Sequence, residues 1–175
     1  MKKILFALLT LGAILLGSEI TNSSLSLPNL KMKDNNLTFR EIEGYENYKI
    51  VATHFRTDKN ELRYILANPI AYTAMKKGVK TMPEGSILVK VAWKVREMSL
   101  FPSALEASST IPRVEYMIKD SKRFNHEGDH WGYARFVKQQ DGTYKTWDEG
   151  VQGCISCHQS AKERDYLFSE YQKVF

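Results

Sequence analysis

Two cysteines and a histidine stand close together near the end of the chain, in the run Cys154-Ile155-Ser156-Cys157-His158. A C-x-x-C-H run is the attachment motif of a c-type haem. Residues three apart lie on adjacent turns of a helix, so both thiols can add to the vinyl groups along one porphyrin edge. The histidine can then bind the iron as its proximal ligand. The run therefore predicts one covalently attached haem c, with Cys154 and Cys157 as attachment residues and His158 as the iron ligand.

Three other kinds of site contain two cysteines at this spacing: a redox dithiol of the thioredoxin kind, a structural disulfide, and half of a zinc site. A zinc site takes about four ligands, and the chain has only two cysteines. A thioredoxin motif follows a strand near the start of its domain, whereas this run lies near the C-terminus. The motif therefore favours haem attachment.

The first residues have the pattern of a secretory signal. The basic segment Met1-Lys2-Lys3 is followed by an apolar run over residues 4–17, which is the order found in signal peptides. A bilayer span takes about 20 apolar residues, so a retained membrane anchor is the less favoured interpretation. We expect the signal to cover residues 1–18 and the mature protein to be periplasmic, where haem c is attached after export.

The length and charge of the chain limit the class of protein. Without the signal, roughly 155 residues remain, which is the size of one domain with a sizeable core. The formal net charge of the full chain is +5, and it falls when Lys2 and Lys3 are removed. A charge this small and dispersed gives no reason to expect a nucleic-acid partner.

Turn residues and hydrophobic periodicity predict several strands and a few helices. A polar segment over residues 19–40 predicts a flexible lead-in, which leaves residues 41–175 as the haem domain. Strands are predicted over residues 62–67, 86–95, 113–118, 131–137 and 143–147. Helices are predicted over residues 44–54, 69–77 and 160–164, and a loop over residues 100–112. This pattern indicates an α+β fold, a mainly antiparallel sheet with a few helices around a single haem c.

Two of these elements carry detailed signals. The helix over residues 69–77 has Asn68 as its N-cap, a proline at its first position and Gly78 as its stop. The strand over residues 86–95 alternates, and Lys90 lies on one face between Leu88 and Ala92. We therefore expect a half-buried lysine in the sheet.

Several short motifs are ordinary singly but specific in their order along the chain. They are Asn68-Pro69, Lys76-Lys77-Gly78, residues 84–90, Glu115 with Lys119-Asp120, Trp131-Gly132-Tyr133, residues 154–158, and residues 165–168. In this order they resemble the cytochrome P-460 family, including the related cytochromes c′-beta. The resemblance covers most of the mature chain. It implies a mainly antiparallel sheet with a few helices around a single haem c.

The resemblance also implies chemistry. In the enzymatic branch of the family a lysine amine is bonded to a haem meso carbon, and the protein oxidises hydroxylamine. Lys90 matches the position of that lysine. The same branch uses a distal acidic residue to manage protons, and Glu115 aligns with it. An apolar pocket would raise the pKa of that carboxylate and suit it to the role.

The c′-beta branch implies a different pocket, which is apolar and aromatic and binds nitric oxide. The candidates for such a cap are Phe55, Tyr64, Phe101 and Phe124. His54, His126 and His130 lie in polar surroundings, and we expect them to be surface or capping residues. The candidates for the sixth iron ligand of an electron carrier are Met75, Met82, Met98 and Met117.

Three classes of function therefore remain open at this point. The first is an oxidoreductase acting on hydroxylamine or nitric oxide, and the second is a nitric oxide binding protein without turnover. The third is a plain electron-transfer cytochrome. All three take one haem c and its iron, and the first two also take a small nitrogenous ligand or substrate. A redox-partner cytochrome and a homodimer are further expectations.

Overall fold

The computed structural model of the chain describes residues 29–108, 113–125 and 128–173. The predicted signal peptide lies outside these residues. The strands are β1 (Lys49–Arg56), β2 (Glu61–Ala67), β3 (Ile87–Met98), β4 (Phe101–Ala107), β5 (Arg113–Lys119), β6 (Trp131–Lys138) and β7 (Tyr144–Thr146). The α-helices are α1 (Pro69–Lys77) and α2 (Gly150–Gln159), and short 3₁₀ helices cover Phe39–Ile42, Tyr45–Asn47 and Lys162–Arg164. None of the helices in the described part has the length and apolar character needed to span a membrane.

The strands form one antiparallel sheet, which confirms the predicted α+β fold. Its order is β1-β2-β3-β5-β6-β7, and β4 pairs with β3 outside this path. Strand β3 is long enough to do two things: residues 87–94 pair with β2 and β5, whereas residues 95–98 pair with β4. The sheet therefore carries a two-stranded ribbon that extends beyond its centre.

Both faces of the sheet are covered. Side chains alternate between the two faces of a strand, so two separate cores form. The first core contains α1, α2 and the C-terminal tail, with Met75, Val151, Ile155 and Leu167 among its buried residues. The second core contains the N-terminal segment, with Met32, Leu37, Phe39 and Ile42 buried against the opposite face. The predicted haem motif lies on the side of the first core.

The ends of α1 lie where the sequence placed them. The Asn68 side chain accepts a hydrogen bond from the Ala71 amide at 2.9 Å, which satisfies one of the free donors at the helix start. Such a cap stabilises a helix by about 1 kcal/mol. Gly78 ends the helix with a φ of +66°, a conformation that glycine adopts without strain. The prediction for this helix is confirmed, and strands β2, β3, β5, β6 and β7 also lie where strands were predicted.

The predicted helix over residues 44–54 is wrong. A 3₁₀ helix covers Tyr45–Asn47, and the rest of this region forms strand β1. The apolar residues recur at helical spacing, but Ile50, Val51 and Thr53 are β-branched and favour a strand. Pairing with the whole length of β2 then decides the conformation.

The predicted loop over residues 100–112 is wrong in its first half, where β4 forms. Pro102 lies inside this strand, and a proline lacks the backbone donor that a central strand needs. It is tolerated because the sheet pairs β4 with β3 on one side only.

The segment predicted as a flexible lead-in, residues 19–40, differs in its described part. Met32 and Leu37 are fully buried, and Phe39 stacks on Phe136 with ring centroids 4.3 Å apart. A few large apolar residues within a polar composition are enough to dock this segment on the sheet. The described portion is therefore part of the second core.

Helix α2 also differs from its prediction. It begins at Gly150, inside the stretch expected to lead into the motif, and it ends at Gln159. Val151 and Ile155 are one turn apart and both are buried, so packing on β6 extends the helix backwards. The predicted helix over residues 160–164 is instead the separate 3₁₀ helix Lys162–Arg164.

Candidate haem site

A cavity of about 330 Å³ lies between α2, the sheet and the C-terminal tail. Its lining includes all five residues that the sequence singled out: Lys90, Glu115, Cys154, Cys157 and His158. They come from three elements that are distant along the chain, β3, β5 and α2. The fold therefore brings the motif and the two residues assigned by resemblance into one site.

Helix α2 presents its motif to this cavity because its other side is fixed. Gly153 lies against the Trp147 ring, and a Cβ at this position would come within 2.6 Å of a ring atom. Glycine is therefore needed for the close approach. Cys154 and Cys157 are free thiols, so no disulfide joins them. Burial raises the pKa of Cys154 to about 12, which keeps this thiol protonated.

The His158 ring is held by the tail. Its Nδ1 lies 2.7 Å from the Tyr166 carbonyl oxygen. A carbonyl only accepts, so Nδ1 carries the hydrogen and donates it, and Nε2 keeps a free lone pair. Burial lowers the pKa of His158, although the bond to Tyr166 opposes this. A neutral imidazole with its Nε2 lone pair free is the form that binds a metal ion.

A row of charged residues crosses the sheet beside the motif. In the strand register Lys90 lies opposite Glu115, and Glu115 lies opposite Arg135. Lys90 and Glu115 form an ion pair, Arg113 Nε donates to Glu115 Oε1 at 2.6 Å, and Arg135 Nε lies 3.6 Å from the same oxygen. Glu115 therefore has three cationic neighbours, and the lysine predicted to be half-buried is 29% exposed.

These neighbours reverse the electrostatics expected for Glu115. Burial by itself raises the pKa of Glu115, but Lys90, Arg113 and Arg135 outweigh it and lower the pKa to about 2. The sequence suggested a carboxylate whose pKa is raised by an apolar pocket, and that expectation is wrong. Arg113 lies two residues away on the same face of β5, but Lys90 and Arg135 lie on β3 and β6, so the pattern around Glu115 reveals only one of the three cations.

A second group of charged residues, centred on Glu61, supports the first. Glu61 is 2% exposed and accepts hydrogen bonds from Arg113 at 2.8 and 2.6 Å and from Arg63 at 2.9 Å. Arg113 lowers the pKa of Glu61, and Arg63 adds to this against the opposing effect of burial. Arg113 thus bridges two carboxylates, Glu61 and Glu115, and holds Glu115 in place at the cavity.

His54 is a cavity residue that the sequence did not identify. It lies on β1 opposite Arg63 and lines the cavity, although it was expected to be a surface or capping residue. Burial, Arg63 and Lys90 lower the pKa of His54. Side chains alternate along a strand, so His54 lies on the same face of β1 as Ala52. The predicted helix hid this relation. His130 lies outside the cavity lining, and His126 lies outside the described residues.

The candidates for an aromatic cap lie elsewhere. Phe55 and Phe101 are 47% and 60% exposed, Tyr64 packs on Trp93, and Phe124 is buried in the second core. None of these four lines the described cavity. Phe168 does line it, with its ring centroid 5.0 Å from that of His158.

Of the four candidate methionines, Met117 lines the cavity and the other three do not. Met117 lies opposite Tyr133 in the strand register, and the Tyr133 ring centroid is 4.9 Å from that of His158. Opposite residues in a sheet are near neighbours, so Met117 lies next to the tyrosine that contacts the imidazole.

The residues present fit a haem. Two free thiols and an imidazole with Nε2 available face one cavity, and this is the donor set of a c-type attachment motif. A zinc site is less consistent, because the described residues contain no cluster of three or more His, Cys, Asp or Glu placed to hold a metal ion.

An antiparallel sheet that brings this donor set to one cavity is the arrangement of a haem protein of the cytochrome class. A family model described as Cytochrome P460 matches residues 42–169, which is most of the chain. The chain therefore belongs to the cytochrome P460 family, and its cofactor is a haem with its iron. A search of curated proteins found no match.

Proposed function

We propose that this protein is an exported single-haem c-type cytochrome that oxidises a small nitrogen compound, with hydroxylamine as the first candidate. The observation that carries the proposal is the ion pair of Lys90 and Glu115 inside the cavity that also contains the haem motif. A pocket of the c′-beta kind is apolar and aromatic, and the four aromatic residues that were candidates for it lie elsewhere. A charged pair at this place favours proton transfer over simple gas binding.

The two thiols are proposed to make the attachment. Each S–H of Cys154 and Cys157 adds across one vinyl double bond, so that a C–S bond forms and the hydrogen passes to the neighbouring carbon without an oxidant. When bound, the haem supplies an iron that coordinates a small ligand and exchanges single electrons. His158 binds that iron through Nε2, because its Nδ1 is committed to the Tyr166 carbonyl.

Glu115 is proposed to relay the protons of the substrate. Oxidation of hydroxylamine to nitric oxide releases three protons and three electrons, and an external one-electron acceptor such as a partner cytochrome has to take the electrons. The pKa of Glu115 is about 2, so its oxygens are free of protons at neutral pH. A carboxylate of this acidity is a weak base, and its pKa rises toward the range of a general base once the proposed bond between Lys90 and the haem removes the lysine charge.

Replacement of Glu115 tests this role. We expect Glu115→Gln to lower the rate of hydroxylamine oxidation by about 100-fold or more, the usual effect of losing a general base. The rate is measured with purified holoprotein and an artificial electron acceptor. Haem content and thermal unfolding are measured alongside it, because removal of one member of a buried charge cluster can cost about 3–5 kcal/mol.

Glu106→Gln is the matched control for this experiment. Glu106 pairs with Arg96 on the ribbon and is 34% exposed, so its loss removes a carboxylate and an ion pair far from the cavity. We expect normal oxidation from this variant. An unchanged rate in folded, haem-loaded Glu115→Gln protein would contradict the role of Glu115.

A nitric oxide binding protein is the second candidate, since Phe168 lines the cavity close to His158. Absorption spectra of the oxidised and reduced protein separate the remaining alternatives. A high-spin spectrum is compatible with an enzyme and with a gas binder, whereas a low-spin, methionine-ligated spectrum would favour an electron carrier. Nitric oxide binding without turnover of hydroxylamine would favour the gas binder.

Export is the last part of the proposal. The basic and apolar segments at the start of the chain support a periplasmic location. We expect the purified protein from the periplasmic fraction to begin near Glu19 by intact-mass measurement. A mass that includes residues 1–17, together with retention in the membrane fraction, would contradict this.

A further inference from the structure

A buried hydrogen-bond network lies behind His158, and Tyr133 is the one member of it that also lines the cavity. It joins Lys119, Asp129, Trp131, Tyr133 and Asp165, which we call the proximal cluster. Lys119 Nζ donates to Asp165 Oδ1 at 2.7 Å and to the Asp129 carbonyl at 2.9 Å. The Lys119 and Asp165 side chains are 5% and 10% exposed. A charged pair taken this far out of water requires a reason, because its desolvation offsets much of its attraction.

Asp165 is held at several atoms. Its Oδ2 accepts from the Met82 amide at 2.7 Å, and its backbone carbonyl accepts from Trp131 Nε1 at 3.1 Å. Lys119 Nζ also lies 5.0 Å from the Trp131 ring centroid. The lysine therefore contacts both the carboxylate of Asp165 and the indole that donates to the Asp165 carbonyl. The position of Asp165 is therefore fixed by β5, by β6 and by the segment before β3.

The backbone at this point has an uncommon conformation. Asp165 and Tyr166 have φ values of +49° and +64°, a region that residues with a side chain adopt at a cost. Two such residues in sequence persist only where surrounding contacts hold them. The result is a chain reversal that aims the Tyr166 carbonyl at His158 Nδ1, 2.7 Å away.

We propose that the Lys119–Asp165 ion pair positions the proximal ligand: it holds the turn at residues 165–166 and thereby maintains the hydrogen bond from His158 to the Tyr166 carbonyl. The inference rests on the proposed role of His158 as the iron ligand. A hydrogen bond from the outer nitrogen makes an imidazole a stronger donor to its metal. Stronger donation strengthens the iron–histidine bond and stabilises the oxidised iron.

The test is resonance Raman spectroscopy of the reduced holoprotein together with its midpoint potential. We expect Lys119→Met and Asp165→Asn each to lower the iron–histidine stretching frequency and to raise the midpoint potential. Asp165→Asn keeps the size of the side chain and an oxygen for the Met82 amide, so it is the milder change if Lys119→Met folds poorly. The double variant should shift no further than the larger single shift, because both residues act through the same turn.

Val114→Ala is the matched control. Val114 lies on the same strand as Lys119 but in the second core, where it is 1% exposed. Its truncation lowers stability without touching the proximal cluster, so we expect lower thermal stability with an unchanged frequency and potential. This control separates a positioning role from a purely structural one.

The outcomes distinguish the inference from the proposed function. An iron–histidine band in the wild-type protein that stays unchanged in folded Asp165→Asn protein would overturn the inference alone. Shifts of the same size in Val114→Ala would also overturn it, because general loosening would then explain them. A reduced wild-type protein that is high-spin but has no iron–histidine band would overturn the assignment of His158 itself.

Discussion

Haem staining of a denaturing gel is expected to disappear when Cys154 and Cys157 are both replaced with alanine. In the proposed attachment each thiol makes one thioether bond, so either single variant should retain weaker staining, and the double variant should release all of its haem in denaturant. The loss of staining should be complete because non-covalently bound haem dissociates from the protein in a denaturing gel. His158 would still be able to hold haem in the folded double variant, and native spectra would show it.

Ser156→Ala is the control for the cysteine variants. Ser156 stands between the two cysteines on α2, but it is exposed and lies outside the cavity lining. We expect full staining from this variant. Undiminished covalent haem in the double cysteine variant would contradict the c-type assignment.

The second large effect is expected at Lys90. Tryptic mass spectrometry of the holoprotein should yield a haem peptide that joins the Lys90 segment to the Cys154 segment. Forming that bond joins the lysine nitrogen to a meso carbon while one N–H and one C–H bond break. Two protons and two electrons leave, so a two-electron oxidant such as a peroxide has to accept the electrons. Glu115 is in contact with Lys90 and is placed to take the proton of the amine.

Lys90→Ala should return an ordinary c-type spectrum and lose hydroxylamine oxidation. Lys138→Ala is its control, because Lys138 is an exposed strand lysine at the end of β6 and lies outside the cavity lining. The reaction also has an electrostatic consequence, since a nitrogen bound to an aromatic ring is a weak base and carries no charge at neutral pH. Glu115 would then lose the main cation that lowers its pKa. Haem bound only through Cys154 and Cys157 in the wild-type protein would contradict the cross-link.

The local parts of the fold and site could be predicted from the sequence. Asn68 and Gly78 mark the ends of α1 because caps depend on one residue and its immediate neighbours. The haem motif is equally local, since its chemistry requires a fixed spacing within one helical turn. Lys90 and Glu115 were placed by resemblance, and the structure brings both to the motif.

The predictions that were wrong concern residues whose structural partners are distant along the chain. The pattern around β1 fits a helix, and only the neighbouring strand decides against it. That error also hid His54, whose side chain faces the cavity because β1 alternates. The pKa of Glu115 could not be predicted, because two of its three cationic neighbours, Lys90 and Arg135, come from β3 and β6 and reach it only through the sheet register.

The burial of Glu61 and Arg113 determines how their ion pair responds to ionic strength. Dissolved ions screen charges that they can approach, with a range of about 8 Å at physiological salt. Arg56 and Asp58 are paired at the surface, with 40% and 57% of their side chains exposed, so added salt weakens their attraction. Glu61 and Arg113 are only 2% and 9% exposed, and dissolved ions cannot come between them. The Glu61–Arg113 contact, which fixes the guanidinium that holds Glu115, therefore keeps its arrangement across a wide range of salinity, which suits a protein that is expected to work outside the regulated cytoplasm.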